Sequence, residues 1–73
     1  MRYYFHLESE TNICIDAQGI DFEGRSDAIN HASAMARDLG DDDRWLGWSV
    51  RVIDDGNAEV ISVPVRASIL STK

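Results

Sequence analysis

Strict alternation of apolar and polar side chains over residues 2–8 predicts a first strand with one buried face. The apolar side consists of Tyr3, Phe5 and Leu7. The opposite side consists of Arg2, Tyr4, His6 and Glu8. A polar connection leads to the apolar residues 13–15, which predict a second strand that forms a hairpin with the first, with Cys14 as a small apolar filler.

A turn is predicted at residues 16–19, because the Asp16 carboxylate can accept a backbone N–H and Gly19 tolerates a positive φ. After this turn, Ile20 and Phe22 resume the alternation briefly. The segment therefore predicts a tight connection between the first hairpin and whatever follows it.

A helix is predicted over residues 27–39. Ser26 is expected to be its N-cap, since a hydroxyl can accept from the unpaired amides of the first turn, and Gly40 is expected to end it in a left-handed conformation. The apolar stripe consists of Ala28, Ala32, Met35, Ala36 and Leu39. Because the stripe is mostly alanine, the helix backbone can lie close to a sheet.

Alternation returns in residues 48–53 and predicts a strand. Its two sides are Trp48, Val50 and Val52, and Ser49, Arg51 and Ile53. Asp55 and Gly56 then predict a turn into a last strand over residues 59–63. Pro64 lacks an amide hydrogen, so it is expected to end that strand or to lie at a sheet edge.

These elements predict one small α+β domain over residues 1–73, a two-layer β-β-α-β-β sandwich with one helix on one face of an antiparallel sheet. The other sheet face is left uncovered. A chain of this length buries about 60% of its unfolded surface, which suffices for one small core but not for a pocket walled on all sides. We therefore expect no enzymatic activity.

Thirteen acidic and seven basic side chains give a net charge of −6. Residues 1–24 hold one Arg and five carboxylates, so this segment alone carries 1 − 5 = −4. The basic residues are scattered singly, and no basic stripe is available to displace counterions from DNA or RNA. The charge argues against a nucleic-acid partner and leaves a basic protein partner open.

A cytoplasmic location without membrane contact is expected. The lone Cys14 cannot form an internal disulfide, which indicates a reducing compartment. The first ten residues lack the apolar stretch of a secretory signal, and nowhere do eighteen apolar residues follow one another.

Four features follow one another along the chain: the aromatic-aromatic-His strand RYYFHL at 2–7, the Asp16-x-x-Gly19 turn, the alanine-rich helix, and a closing hairpin whose turn reads Val52-x-Asp54-x-Gly56. In this order they resemble a family of short bacterial proteins of unknown function. The resemblance implies the fold and the compartment, and it implies neither an activity nor catalytic residues. Residues 41–48, with three aspartates and two tryptophans, depart from the family pattern.

Residues 19–29, which lead into the helix, have a second and fainter likeness to HicB-type antitoxins. Those antitoxins place three strands before the helix and usually add a DNA-binding segment, whereas this chain is predicted to have two strands there and no added segment. The likeness implies a small acidic regulator that binds a basic protein.

Tyr4, His6 and Arg51 are the candidate binding residues. If the registers of their two strands match, a phenol, an imidazole and a guanidinium come together on the uncovered face, and such a set can bind a small anion. The alternative is that these are solvated or dimer-facing sheet residues, since alternation exposes polar groups without any ligand.

No cofactor or metal site is expected, because His6, Cys14 and His31 lack the close spacing of metal ligands. The acidic run at residues 41–43 lacks the alternating ligands of a calcium loop and is expected to be a solvated loop that starts a turn around Trp45. Cys14 with either histidine is the only conceivable nucleophilic pair, and its position between two isoleucines argues against a reactive thiol.

The leading hypothesis is a non-enzymatic interaction module that forms a homo-oligomer through the uncovered face, with Tyr4 and Ile53, or through an unpaired sheet edge. Of Trp45 and Trp48, one is expected to fill the core and the other to anchor an interface. The alternative is an antitoxin-like acidic regulator of a basic protein. The third hypothesis is a small-anion binder that uses Tyr4, His6 and Arg51.

Overall fold

The computed structural model describes residues 1–66 and contains five strands and one α-helix in that part of the chain. The elements are β1 (Arg2–Glu8), β2 (Ile13–Cys14), β3 (Ile20–Asp21), α1 (Arg25–Leu39), a 3-10 turn (Asp43–Trp45), β4 (Ser49–Asp54) and β5 (Glu59–Pro64). The predicted α+β class, with the helix on one face of an antiparallel sheet, is confirmed. The predicted domain of residues 1–73 extends seven residues beyond the described part.

The sheet has the order β2-β1-β4-β5, and all its pairings are antiparallel. β1 pairs with β4 along six residues, from Tyr3 opposite Asp54 to Glu8 opposite Ser49. Its other edge is shared, because β2 pairs near the end of β1 and β3 pairs near its start. Three strands therefore precede the helix rather than the two predicted: the brief alternation after Gly19 is itself a strand of two residues.

The core lies between the sheet and the helix, as the alternation and the alanine stripe predict. Its buried members are Tyr3, Phe5, Ala28, Ala32, Ala36, Val50, Val52 and Val65. Alanine has no side chain beyond Cβ, so the helix approaches the sheet closely and the large aromatic groups of β1 fill the remaining space.

The helix ends at Leu39 with Gly40 as its C-cap, as predicted, but its start and the conformation of Gly40 differ from the prediction. The helix begins at Arg25 with Gly24 as its N-cap, and no side chain caps it, so Ser26 lies inside the first turn. Gly40 is right-handed, with φ −65° and ψ −13°. It is glycine for a different reason: a Cβ at this position would collide with the carbonyl oxygen of Arg66, where the chain returns after β5.

The closing hairpin and its turn after β4 are confirmed. The left-handed residue of the turn is Asn57, with φ 70°. The Asp54 carboxylate accepts from the amides of Gly56 and Ala58 at 2.9 and 3.0 Å, which fixes the loop. Pro64 is the last residue of β5 and stands on an edge strand, as predicted.

The predicted turn around Trp45 is confirmed as the 3-10 turn, which the Asp42 carboxylate caps by accepting from the Arg44 amide at 3.0 Å. Trp45 and Trp48 stack edge to face with ring centroids 5.1 Å apart, and both are half-buried against the core. Both indoles therefore cover this end of the core.

Candidate functional site

The sheet face opposite the helix is called the outer face, and it holds the three predicted binding residues. Tyr4 lies opposite Ile53 and His6 lies opposite Arg51 in the β1–β4 ladder, so all these side chains share one side. Tyr4, His6 and Arg51 are half-buried. Ile53 was expected on an open surface, but it is only 8% exposed, so the outer face is not open at this position.

Arg51 joins three strands through two carboxylates. Its Nη1 lies 2.9 Å from Oε2 of Glu8 on β1, and its Nε lies 2.9 Å from Oε1 of Glu59 on β5. The hydrogen bond that Arg51 donates to Glu8 and the charges of both glutamates raise the pKa of Arg51 above its usual value. A small anion at this guanidinium would have to compete with both carboxylates.

Glu59 reaches Arg51 because of a β-bulge. Val52 pairs with Ile61, whereas Ile53 pairs with Glu59, so Val60 is an extra residue in β5. In a regular ladder Val60 would lie opposite Ile53, and Glu59 would point to the helix side. The bulge turns Glu59 onto the outer face, where the alternation alone would not place it.

Asp16 completes the edge of β1 where neither β2 nor β3 pairs. Its Oδ2 accepts the backbone N–H of Phe5 at 3.1 Å, and its Oδ1 accepts those of Gln18 and Gly19, each at 3.1 Å. Burial by itself would raise the pKa of Asp16, but the bonds from Gly19, Phe5 and Gln18 outweigh it and lower that pKa below its usual value. The predicted turn is confirmed, and Gly19 takes the positive φ of 71°.

His6 is tied to the same turn, since its Nδ1 accepts the backbone N–H of Asp16 at 3.0 Å. An accepting Nδ1 carries no proton, so the neutral ring holds its hydrogen on Nε2. A positive charge on His6 would lower the Asp16 pKa further. The hydrogen bond from the Asp16 N–H to Nδ1 fits the neutral ring, however, and the bonds from the three backbone amides account for the lowered pKa of Asp16. His6 thus holds the loop against the outer face.

The sheet separates Cys14 from His6. Cys14 lies opposite Leu7, on the helix side, while His6 lies on the outer face. His31 is on the helix and packs edge to face on Phe5, with ring centroids 4.9 Å apart, and against Phe22 at 5.4 Å. Among residues 1–66 the structure places no three His, Cys, Asp or Glu side chains close enough together to hold a metal ion.

The segment around β2 is exposed, which corrects the prediction that Cys14 is a strand filler. Ile13 is 50% and Ile15 is 62% exposed. The physical reason is the length of β2: with two residues at the end of the sheet, it lies beyond β4 and β5, against which the helix packs. Ile13 and Ile15 are called the isoleucine edge below.

Sequence reasoning brought Tyr4, His6 and Arg51 to one face but missed their partners. Glu59 was hidden by the bulge, and the hydrogen bond that the Phe5 N–H donates to the Asp16 carboxylate has no signal in the sequence. The exposure of the isoleucine edge could have been inferred from its shortness, since two residues present little surface for a helix to cover.

The α-helix of residues 1–66 lacks the length and the apolar composition that a membrane span requires. Comparison with known proteins shows that residues 2–66 match a family model described as "Domain of unknown function (DUF6894)". This fits the resemblance to a family of unknown function and says nothing about HicB-type antitoxins. Neither a curated protein nor a solved structure matches the chain.

Proposed function

The chain belongs to the DUF6894 family, which brings no activity with it, and we propose that it is a non-enzymatic interaction module that self-associates through the isoleucine edge and the adjoining outer face. The observation that carries the proposal is the exposure of Ile13 and Ile15, 50% and 62%, only two residues apart. Exposed apolar groups that lie close together are typical of contact surfaces.

Side-chain packing supports this contact better than strand addition does. β2 has only two residues, and β5, at the other end of the sheet, contains a bulge and ends at Pro64. Short edge strands, bulges and proline all discourage pairing with another chain. A second copy is therefore expected to bury the two isoleucines rather than to extend the sheet.

The expected association is weak. Complete burial of an isoleucine stabilises by about 1.5–3 kcal/mol, so covering the exposed half of each contributes roughly 1 kcal/mol. A symmetric dimer buries four such side chains, roughly 4 kcal/mol in all, which only matches the lower end of the roughly 4–15 kcal/mol that association costs in lost translational and rotational freedom, so the outer face must contribute the rest. Two chains of net charge −6 also repel each other, so salt is expected to strengthen the dimer.

Sedimentation velocity over micromolar to millimolar chain concentrations tests the proposal. The native chain should associate, more strongly at 0.5 M than at 0.05 M NaCl. The double variant Ile13→Ser, Ile15→Ser should stay monomeric. Ile20→Ser is the matched control, because Ile20 is 40% exposed on β3 and should not affect association. A native chain that is monomeric throughout would overturn the proposal.

The acidic-regulator hypothesis is the second candidate, and the charge distribution favours it. Residues 1–24 carry −4, and the three strands before the helix agree with the order expected of HicB-type antitoxins. A basic protein partner would bind more weakly as salt is raised, which is the opposite of the salt response expected for the dimer. Salt dependence therefore separates the two candidates.

The small-anion hypothesis is less well supported, because Arg51 already binds Glu8 and Glu59. A phosphate titration followed by NMR tests it: shifts confined to Tyr4, His6 and Arg51 would support it. A cytoplasmic location is also part of our proposal, since the exposed thiol of Cys14 is stable in a reducing compartment.

A further inference from the structure

A groove lies between the β1–β2 connection and the chain that follows the 3-10 turn. It is lined by Ser9, Glu10, Thr11, Leu46, Gly47 and Trp48. Its volume is about 330 Å³, and it is open to solvent along its length. Sites that enclose a small molecule are of this size or larger and bury most of the ligand, so an open groove of this size suits a single long side chain better.

The groove is apolar on one side and acidic on the other. Leu46 is 38% exposed, and Trp48 beside it is half-buried. On the opposite side, the carboxylate of Glu10 has no hydrogen-bond or ion-pair partner among residues 1–66. Glu8, two residues earlier, is by contrast bound to Arg51.

The connection that carries Glu10 has a defined shape. The hydroxyl oxygen of Ser9 accepts the amides of Thr11 and Asn12 at 3.3 and 3.1 Å, and the Ser9 amide donates to the Asn12 carbonyl at 2.8 Å. These bonds close a local turn that contains Glu10, one of the residues that line the groove.

We infer that this groove receives a lysine or arginine side chain of a partner protein, with the aliphatic stem on Leu46 and Trp48 and the cation at Glu10. Long basic side chains bury their stems on apolar surface while the charged end stays at a polar rim, and the two sides of the groove match this division. An acidic side chain would be repelled by Glu10 and by the net charge of −6. The inference does not depend on self-association and concerns a different surface.

The test uses three blocked pentapeptides, Gly-Gly-X-Gly-Gly, with arginine, glutamine or norleucine at X. They are titrated into the native chain at a concentration where it is monomeric, and the amide resonances are followed by NMR. The arginine peptide should shift Thr11, Leu46 and Gly47 saturably. The glutamine and norleucine peptides should bind at least several-fold more weakly.

Two charge variants separate a local effect from the overall charge. Glu10→Gln should weaken binding of the arginine peptide about two- to fivefold, as expected for one exposed ion pair. Glu23→Gln changes the net charge equally, but Glu23 follows β3, which pairs with the start of β1, whereas the groove lies beyond the end of β1, so this variant should leave binding unchanged. Leu46→Ser should weaken binding of the arginine peptide while the amide spectrum stays that of a folded chain.

Several outcomes would overturn the inference. Equal effects of Glu10→Gln and Glu23→Gln would mean that only the overall charge attracts the peptide. Norleucine binding as tightly as arginine would make the groove an apolar site without charge selection. Shifts located at the isoleucine edge instead of the groove, or no shifts, would remove the site while leaving the self-association proposal untouched.

Discussion

The carboxylate of Asp16 accepts the backbone N–H of Phe5 at 3.1 Å, and it does so at the gap in the β1 edge between β2 and β3. A side chain thereby takes the place of a missing strand. The same residue donates its own N–H to Nδ1 of His6, so two hydrogen bonds hold Asp16 at the gap. One loop residue holds the core-facing strand and the outer face together.

Replacing Asp16 should therefore destabilise the fold more than an ordinary surface change. Asp16→Ala leaves the amides of Phe5, Gln18 and Gly19 without their acceptor, and we expect the free energy of unfolding to fall by about 1–3 kcal/mol. Urea denaturation followed by tryptophan fluorescence measures the change. The exposed Asp55→Ala is the control and should stay within about 0.5 kcal/mol. Equal losses of stability in the two variants would show that Asp16 has no structural role beyond that of an ordinary surface residue.

Asp16 also gives the stability a defined pH dependence. Its pKa is lowered in the folded state, so the folded chain favours the carboxylate more than the unfolded chain does. The stability it contributes is fully present above the unfolded pKa of about 3.9 and is lost as the pH falls through the lower folded pKa. Unfolding curves measured from pH 2 to 7 should show a larger free energy of unfolding for the native chain than for Asp16→Asn near neutral pH, and this difference should shrink in acid. Parallel curves would contradict this.

The two glycines that flank the helix should differ in how much alanine costs at each. Gly40→Ala forces a Cβ against the backbone of Arg66, which cannot rotate away, and should cost about 1–3 kcal/mol of stability. Gly24→Ala is the matched control, because nothing lies within 4 Å of its Cβ position and its φ of −149° suits any residue. Thermal unfolding of both variants decides the matter, and a tolerated Gly40→Ala would show that the returning chain is not packed against the helix end.

The helix, the buried aromatic strand and the closing hairpin can be predicted from the sequence, because each has a regular spacing of apolar residues or a recognisable turn. Tyr3 and the alanine stripe pack in the same core, as that spacing predicts. The reason for Gly40 could not be predicted, since it depends on Arg66, distant in the sequence. The candidate site shows the same division: alternation places His6 and Arg51 together, but only the tertiary structure reveals that Glu59 and Asp16 bind them.

The bulge in β5 can be tested by deletion. Removing Val60 keeps Ile53 opposite Glu59 and Val52 opposite Ile61 in a regular ladder, so the fold and the ion pair of Glu59 should survive. The loss of one half-buried valine should lower the free energy of unfolding by about 1 kcal/mol.

Deletion of Ser62 is the control for Val60, because it shifts the rest of β5 by one residue and turns Val63 away from the core. It should be far more damaging. The amide spectrum and urea denaturation compare the two deletions. A chain that unfolds on loss of Val60 but tolerates loss of Ser62 would contradict the register described above.

The thiol of Cys14 provides a last prediction, because it is exposed between the two residues of the isoleucine edge. In the monomer it should react with iodoacetamide at nearly the rate found in urea, since no described element shields it. Cys14 lies opposite Leu7 on the helix side, whereas Ile13 lies opposite Glu8 on the outer face, so a contact through the isoleucine edge and the outer face should leave the reaction fast at concentrations where sedimentation shows the dimer. The variant Ile13→Ser, Ile15→Ser should react at the same fast rate at every concentration. A reaction of the native chain that slows in step with the fraction of dimer would place the contact on the helix side of β2 and contradict a contact through the outer face.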